Sequence, residues 1–234
     1  MARDEVAVIV GTGRGLSASL TRLFARDGMQ VALAARDTAK LAGLCAETGA
    51  TAFACDASDP TAVAGLFRDV DRTLGSPGLV VYNAANRGGR GPLVELDPEA
   101  VRQAILVTCY GGFLVAQEAA RRMLAAGKGT ILFTGASASY KGYAHSSSFA
   151  MGKFGLRGLA QSMARELAPK GIHVAHFPID GGIRQGADDP RADKRGDDGL
   201  LDPDAIAETY LQVHRQHRSA WTWEIELRPW SENF

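Results

Sequence analysis

Apolar runs and amphipathic stretches alternate along this chain almost from end to end. Val6-Ala7-Val8-Ile9-Val10 is a continuous apolar run, the pattern of a strand buried on both faces. After a glycine-rich turn, Leu16, Leu20, Leu23 and Phe24 recur at helical spacing. Further strands are predicted over residues 31–35, 51–55, 79–82, 129–134, 172–177 and 221–227, which makes seven in all. Helices are predicted over 38–47, 60–74, 99–124, 148–167 and 203–217. Pro60 suits a first-turn position, and Pro169 with Gly171 stops the fourth of these helices. This order reads as a doubly wound, parallel α/β sheet in one domain. Ligands are then expected outside the carboxyl ends of the strands, where the strand order reverses. Arg184 to Gly199 breaks the pattern, being polar, glycine-containing and mixed in charge, and reads as a mobile loop.

Composition narrows the picture. The 234 residues suit one sizeable domain, 46% apolar content supports a core, and 22% charged residues support a soluble surface. Lys+Arg 26 against Asp+Glu 26 leaves no net charge, which argues against nucleic-acid or anionic-membrane partners. Cys45, Cys55 and Cys109 are odd in number, far apart and in no CxxC pattern, as in a reduced cytoplasmic protein. Residues 1–5 carry Asp4 and Glu5 and lead straight into a strand, so they are not a signal peptide. No apolar run approaches the roughly 20 residues a membrane helix needs.

Metal readings fail. His173 and His176, three apart on a predicted strand, face opposite sides. His214 and His217 lie one helical turn apart with no carboxylate or cysteine to complete a site, and read as a solvated helix end. Trp221, Trp223, Ile225 and Leu227 share one face of the last predicted strand, for core or subunit packing, and the aromatic tail 228–234 needs cover. Gly111 and Gly112 each cost a helix about 1 kcal/mol relative to alanine. Close approach of a neighbouring helix or subunit would explain them.

Three segments carry the chemistry. Val10-Gly11-Thr12-Gly13-Arg14-Gly15-Leu16-Ser17 joins a strand to a helix, so small residues can let the backbone approach a pyrophosphate at the helix N-terminus. Tyr82-Asn83-Ala84-Ala85-Asn86 follows the fourth strand. Ser148-Phe149-Ala150-Met151-Gly152-Lys153 opens a helix after the strand ending in Thr134 and a polar loop. Together they resemble the short-chain dehydrogenase/reductase family, whose corresponding motifs are TGxxxGxG, NNAG and YxxxK. The resemblance covers nearly the whole chain. It implies a Rossmann-type, seven-stranded dinucleotide-binding domain over 1–234 and a substrate loop at 184–200. It also implies a homodimer or homotetramer, paired through the two long helices and the last strand.

Carried over residue by residue, Gly11 and Gly15 take the first two family glycines and Ser17 the third, with Gly13, Arg14 and Leu16 completing the turn. The resemblance makes Asp56 an adenine contact. Asn83 would brace the sheet, Ala84 and Ala85 would leave room for the cofactor, and Ile179 stands in the stretch that replaces the family's Pro-Gly. Ala35 stands where an NAD-preferring protein usually has a carboxylate, and Arg36 and Arg14 can reach a 2′-phosphate. NADP(H) is therefore expected in preference to NAD(H). Asp37 is the ambiguity, since a small backbone shift would bring it to the ribose.

Of the family tetrad of Asn, Ser, Tyr and Lys, only Lys153 is kept. Thr108 takes the Asn position, Ala136 the Ser position and Phe149 the Tyr position. A phenylalanine ring cannot donate, accept or titrate. A one-residue loop shift would bring Ser137 into the serine role. Lys153 either only holds the nicotinamide ribose or, with a lowered pKa, acts as the acid itself. Two functions follow. One is an oxidoreductase moving hydride to or from a small carbonyl, alcohol or activated double bond. The other is a dinucleotide-binding protein without turnover, a sensor or inactive subunit.

Overall fold

Six parallel strands, β1 (Val6–Val10), β2 (Gln30–Ala35), β3 (Thr51–Ala54), β4 (Pro77–Tyr82), β5 (Gly129–Thr134) and β6 (Ile172–Phe177), form one sheet. Their order is β3-β2-β1-β4-β5-β6. This is the computed structural model of the chain, and it describes residues 5–186 and 188–232. The readings that fall on residues 1–4 and on the last two tail residues lie outside it. Eight α-helices are described: α1 (Leu16–Arg26), α2 (Ala42–Thr48), α3 (Pro60–Thr73), α4 (Pro98–Ile105), α5 (Gly111–Ala126), α6 (Ser147–Leu167), α7 (Ala192–Arg195) and α8 (Pro203–His214).

The apolar strand runs feed two cores. Val6, Val8 and Val10 point to one face, under α3, α5 and α6. Ala7 and Ile9 point to the other, against α1 and α8. Alternation along a strand sends successive side chains to opposite faces, so a strand covered on both must be apolar throughout. Helix starts follow their caps. Asp59 accepts from the Thr61 N–H at 2.8 Å ahead of Pro60, and Asp97 accepts from Glu99 and Ala100 ahead of Pro98.

The sheet has six strands where seven are expected. The segment around Trp223 to Leu227 does lie parallel beside β6, with the His176 N–H donating to the Trp223 carbonyl at 2.8 Å and the Leu227 N–H to the Pro178 carbonyl at 3.0 Å. Its ladder is broken into two bridges, His176 with Glu224 and Ile179 with Leu227. Pro178 stands between them and has no N–H to give. Ile225 and Leu227 pack against the core, whereas Trp221 stacks on His173 and Trp223 lies under the Arg157 guanidinium.

Other expectations change too. The helix predicted over 99–124 is two α-helices joined by a π-helical turn, Leu106–Tyr110. The Tyr82 hydroxyl donates to the Val107 carbonyl inside that turn, drawing an acceptor out of the α-helical ladder. Gly111 and Gly112 make room within the chain. A Cβ would lie 2.5 Å from the Tyr82 Oη at Gly111 and 2.5 Å from Leu156 Cδ1 at Gly112. His214 is no solvated helix end, and a carboxylate does lie beside it. It bonds Thr130 Oγ1 at 2.9 Å and Glu5 at 3.1 Å, because the fold brings the residue ahead of β1 against α8. The 184–200 region contains α7, and Asp189 is buried in an ion pair with Arg191 at 2.6 Å. The tail lies against it through Arg195–Glu232 at 2.7 Å, leaving the Trp230 ring exposed.

Candidate functional site

A cleft of about 640 Å³ opens where the strand order reverses between β1 and β4. The expected residues Gly11, Gly13, Arg14, Gly15, Leu16, Arg36, Asp56, Asn83, Ala84 and Ala85 all line it. Gly11 has φ of 91°, and a Cβ there would sit 2.3 Å from the Ala84 backbone nitrogen. Only glycine fits that crossing. The Asn83 side chain donates to the Gly11 carbonyl at 3.1 Å and reaches Ser17 Oγ at 3.3 Å, so it braces the turn. Ser17 helps fix the turn as well, its Oγ accepting from the Gly13 N–H at 3.0 Å. Helix α1 then begins after Gly15 with no side chain capping it. An uncapped helix start on a glycine cradle suits a phosphate group.

The far end of the cleft is cationic. Arg14 and Arg36 are exposed there, and Lys40, which sequence reasoning missed, lines it as well. Asp37 is committed elsewhere, with one oxygen on Lys40 at 3.1 Å and the other accepting from the Ala39 N–H at 3.1 Å. The Lys40 bond, above all, holds this carboxyl below its ordinary range. A Lys three residues after an Asp is a pairing that local spacing could have revealed. Asp56 accepts from the Ser58 hydroxyl at 2.7 Å and N–H at 2.9 Å. Those bonds, hydroxyl first, and Arg36 more weakly, keep it ionised. Ile183 and Gln185 also line the cleft, while Ile179 is buried beneath with its carbonyl taken by the Ser137 N–H at 3.2 Å.

Helix α6 carries the other half. Lys153 is buried, and its Nζ donates to the Thr134 carbonyl at 2.7 Å. Burial, and then the Arg87 charge, lowers its pKa to about 7. Phe149 lies one turn earlier and is half-buried, with Lys153 Nζ 5.8 Å from its ring centroid. Arg87, also missed from sequence, covers that ring at 4.7 Å. Thr108 sits fully buried on the π-helical turn, and its hydroxyl is spent on the Asn86 backbone, accepting at 2.9 Å and donating at 3.1 Å.

The loop after β5 is held by Ser139. Its Oγ accepts from the Ala136 N–H at 3.2 Å and meets His176 Nε2 at 3.3 Å. His176 Nδ1 contacts Glu224 at 3.0 Å, and Glu224 takes both arms of Arg157 at 2.7 and 2.8 Å. Ser139 and His176 are fully enclosed, and burial lowers the His176 pKa to about 4, so a neutral imidazole links the loop to the Arg157–Glu224 ion pair. The Ser137 hydroxyl has no protein partner among the described residues. No cluster of three metal-ligating side chains and no helix able to cross a membrane occurs among the described residues.

A glycine turn on an uncapped helix, an Asn-braced cleft and a buried lysine one turn after an aromatic define a class. A model of the short chain dehydrogenase family matches residues 5–179. The chain belongs to the short-chain dehydrogenase/reductase family of oxidoreductases. Curated relatives match over about 73% of this chain, and the match spans 61–73% of the length of the first four. One, 32% identical over 73% of this chain and 70% of its own, is the "Cyclic-di-GMP-binding biofilm dispersal mediator protein" of Escherichia coli. A short-chain dehydrogenase structure from Rhodopseudomonas palustris is 35% identical, covers 97% of this chain and 100% of its own, and superposes with a TM-score of 0.84. A metagenomic short-chain oxidoreductase in complex with NADP is 28% identical, covers 97% of each chain and has a TM-score of 0.83.

Proposed function

We propose that this chain is an NADP(H)-dependent oxidoreductase with a degenerate site, acting on a small carbonyl, an alcohol or an activated double bond. The observation that carries the reading is Lys153, buried, near-neutral in pKa and one turn from the aromatic position of the motif. The nicotinamide dinucleotide, when bound, supplies or accepts the hydride. Gly11, Gly15 and the open start of α1 receive its diphosphate, and Arg14 and Arg36, with Lys40 beside them, receive a 2′-phosphate that Ala35 does not repel. The NADP complex of the metagenomic oxidoreductase supports that choice. Asn83 holds the turn, Ala84 and Ala85 leave space, and Asp56 faces the adenine side.

Lys153 holds the ribose hydroxyls and keeps a proton at Nζ close to the reacting position. Phe149 supplies shape alone, Ala136 no hydroxyl, and Thr108 no free one, with Ser137 the nearest replacement in the chain. Substrates needing little acid help are therefore favoured. The test is a substrate panel followed by NADPH consumption, with Lys153→Met in parallel. Turnover of at least one carbonyl or activated alkene, lost in Lys153→Met, is the expected result.

The second reading is NADP(H) binding without turnover, as a sensor or inactive subunit. The biofilm-mediator relative, named for binding and regulation, favours it. Tight NADPH binding with no consumption across the panel would select it. For either reading we infer a homodimer or homotetramer. Tyr110, Phe113, Met151 and Phe154 are exposed on the π-helical turn, α5 and α6, although Gly111, Gly112, Gly152 and Gly155 are already filled from within the chain. A light-scattering mass of one 24.8 kDa chain would exclude it. The free thiols of Cys45, Cys55 and Cys109 fit a cytoplasmic setting.

A further inference from the structure

We propose that Arg87, held over the Phe149 ring beside Lys153, is a specificity residue that binds a carboxylate on the substrate. This rests on the oxidoreductase reading only in placing a substrate at Phe149. The Arg87 guanidinium lies 4.7 Å from the ring centroid and Lys153 Nζ 5.8 Å from the same point. One ring therefore gathers two cations, and among the described residues neither has an ion-pair partner. Carboxylates that follow Arg87 in the chain are engaged elsewhere, Asp97 in capping α4 at 3.1 and 3.2 Å and Glu99 with Arg102 at 2.7 Å. Like charges near a low-dielectric surface repel each other, and an anion arriving at the exposed guanidinium offsets its charge. The depressed pKa of Lys153, set by burial first and Arg87 second, is a sign of the same unbalanced field.

Arg87 is also positioned, not merely present. Its carbonyl accepts from Ser148 Oγ at 2.6 Å, on the residue next to Phe149. The Gly91 N–H donates to the His145 carbonyl at 3.2 Å, so the arginine loop is tied to the segment that leads into α6. His145 has φ of 60° at that tie, a conformation that non-glycine residues seldom adopt. The Arg87 side chain is exposed and the ring half-buried, so a ligand reaches both from solvent. A guanidinium offers two parallel N–H groups to the two oxygens of a carboxylate, which an ester cannot match. The substrate class is therefore a small keto acid or unsaturated acid, with its carboxylate a few atoms from the reacting carbon.

The test titrates acetoacetate and its uncharged methyl ester into the protein, with and without saturating NADPH, by ligand-observed NMR. Wild type should bind the acid about tenfold or more tighter than the ester. Arg87→Met should bring the two within about twofold, and Arg87→Lys should keep part of the preference. NADPH affinity should be the same in all three proteins. Equal binding of acid and ester by wild type, binding of neither at millimolar concentration, or an undiminished preference in Arg87→Met overturns the assignment. Weaker NADPH binding in Arg87→Met overturns it too, by moving the arginine to the cofactor. Wild type that prefers the acid but fails to bind NADPH sinks the cofactor reading and leaves the anion site standing.

Discussion

The two ends of the cleft are built from different material. At the glycine turn the ligand-facing groups are backbone N–H groups, a helix start and the absence of side chains, held by Asn83 and Ser17. Around the start of α6, on our proposal, the work falls to four side chains of which only Lys153 keeps the family's residue. A backbone cradle tolerates substitution as long as the chain keeps its path. A proton donor tolerates none, because a single hydroxyl is the whole device. Thr108 is fully buried with its hydroxyl bonded to the Asn86 backbone, and Phe149 is half-buried under Arg87.

The sharpest way to press that contrast is to restore the chemistry. Phe149→Tyr places a phenol beside Lys153, and Ala136→Ser returns the second hydroxyl. The double variant should gain about 10²- to 10⁴-fold in reduction of a simple ketone, more than either single change, because such groups act as a unit. NADPH consumption under saturating ketone reads it, and no gain in a variant that still binds NADPH would show that the two ends are not parts of one enzyme.

The converse change attacks the cradle. Gly11→Ala forces a Cβ into the Ala84 backbone at a φ alanine seldom adopts, an effect of about 1–3 kcal/mol or more on the turn. Nucleotide titration should show binding lost or weakened by about tenfold or more, with the sheet intact by circular dichroism. Unchanged affinity would mean the turn is not where the diphosphate lies. Arg36→Ala is a narrower cut. NADPH should weaken by about 1.5–3 kcal/mol with NADH nearly unaffected, and wild type that binds NADH as tightly as NADPH would remove the 2′-phosphate reading.

The smallest effect is on stability against pH. Lys153 has a folded pKa of about 7, below its ordinary value near 10.5. Between those values the unfolded chain binds the extra proton, so this group makes stability rise as pH increases from about 7 toward 10. Below pH 7 both states are protonated and its destabilising contribution is at its full size. Urea midpoints across that range should climb less in Lys153→Met than in wild type, and parallel profiles would place the ammonium in a wetter setting.

Much of this architecture was legible in the residues. Strands buried on both faces announce themselves as unbroken apolar runs, and the glycine turn, Asn83 and Lys153 fall where their spacing puts them. What escaped was set by partners distant in sequence. The π-helical turn keeps helical periodicity to the eye, and its Val107 carbonyl is bonded by Tyr82, 25 residues earlier. Arg87 carried no signal in the sequence, and only the fold lays it on Phe149. His214 meets Glu5 only because the fold sets the end of α8 beside the entry to β1. The break at Pro178 was written in the sequence, but its consequence needed the neighbouring segment to be seen.

That proline bears on how the protein keeps to itself. β6 is buried at every residue and closes one side of the sheet, and among the described residues its outer row of backbone groups is covered by the segment around Trp223 to Leu227. An uncovered apolar strand is a template for pairing with other chains. The covering segment is thus an edge guard fastened by interrupted bonds and by Glu224 to Arg157. Trimming the chain after residue 220 should turn a dispersed protein into one that aggregates through β6, measurable by turbidity on mild warming.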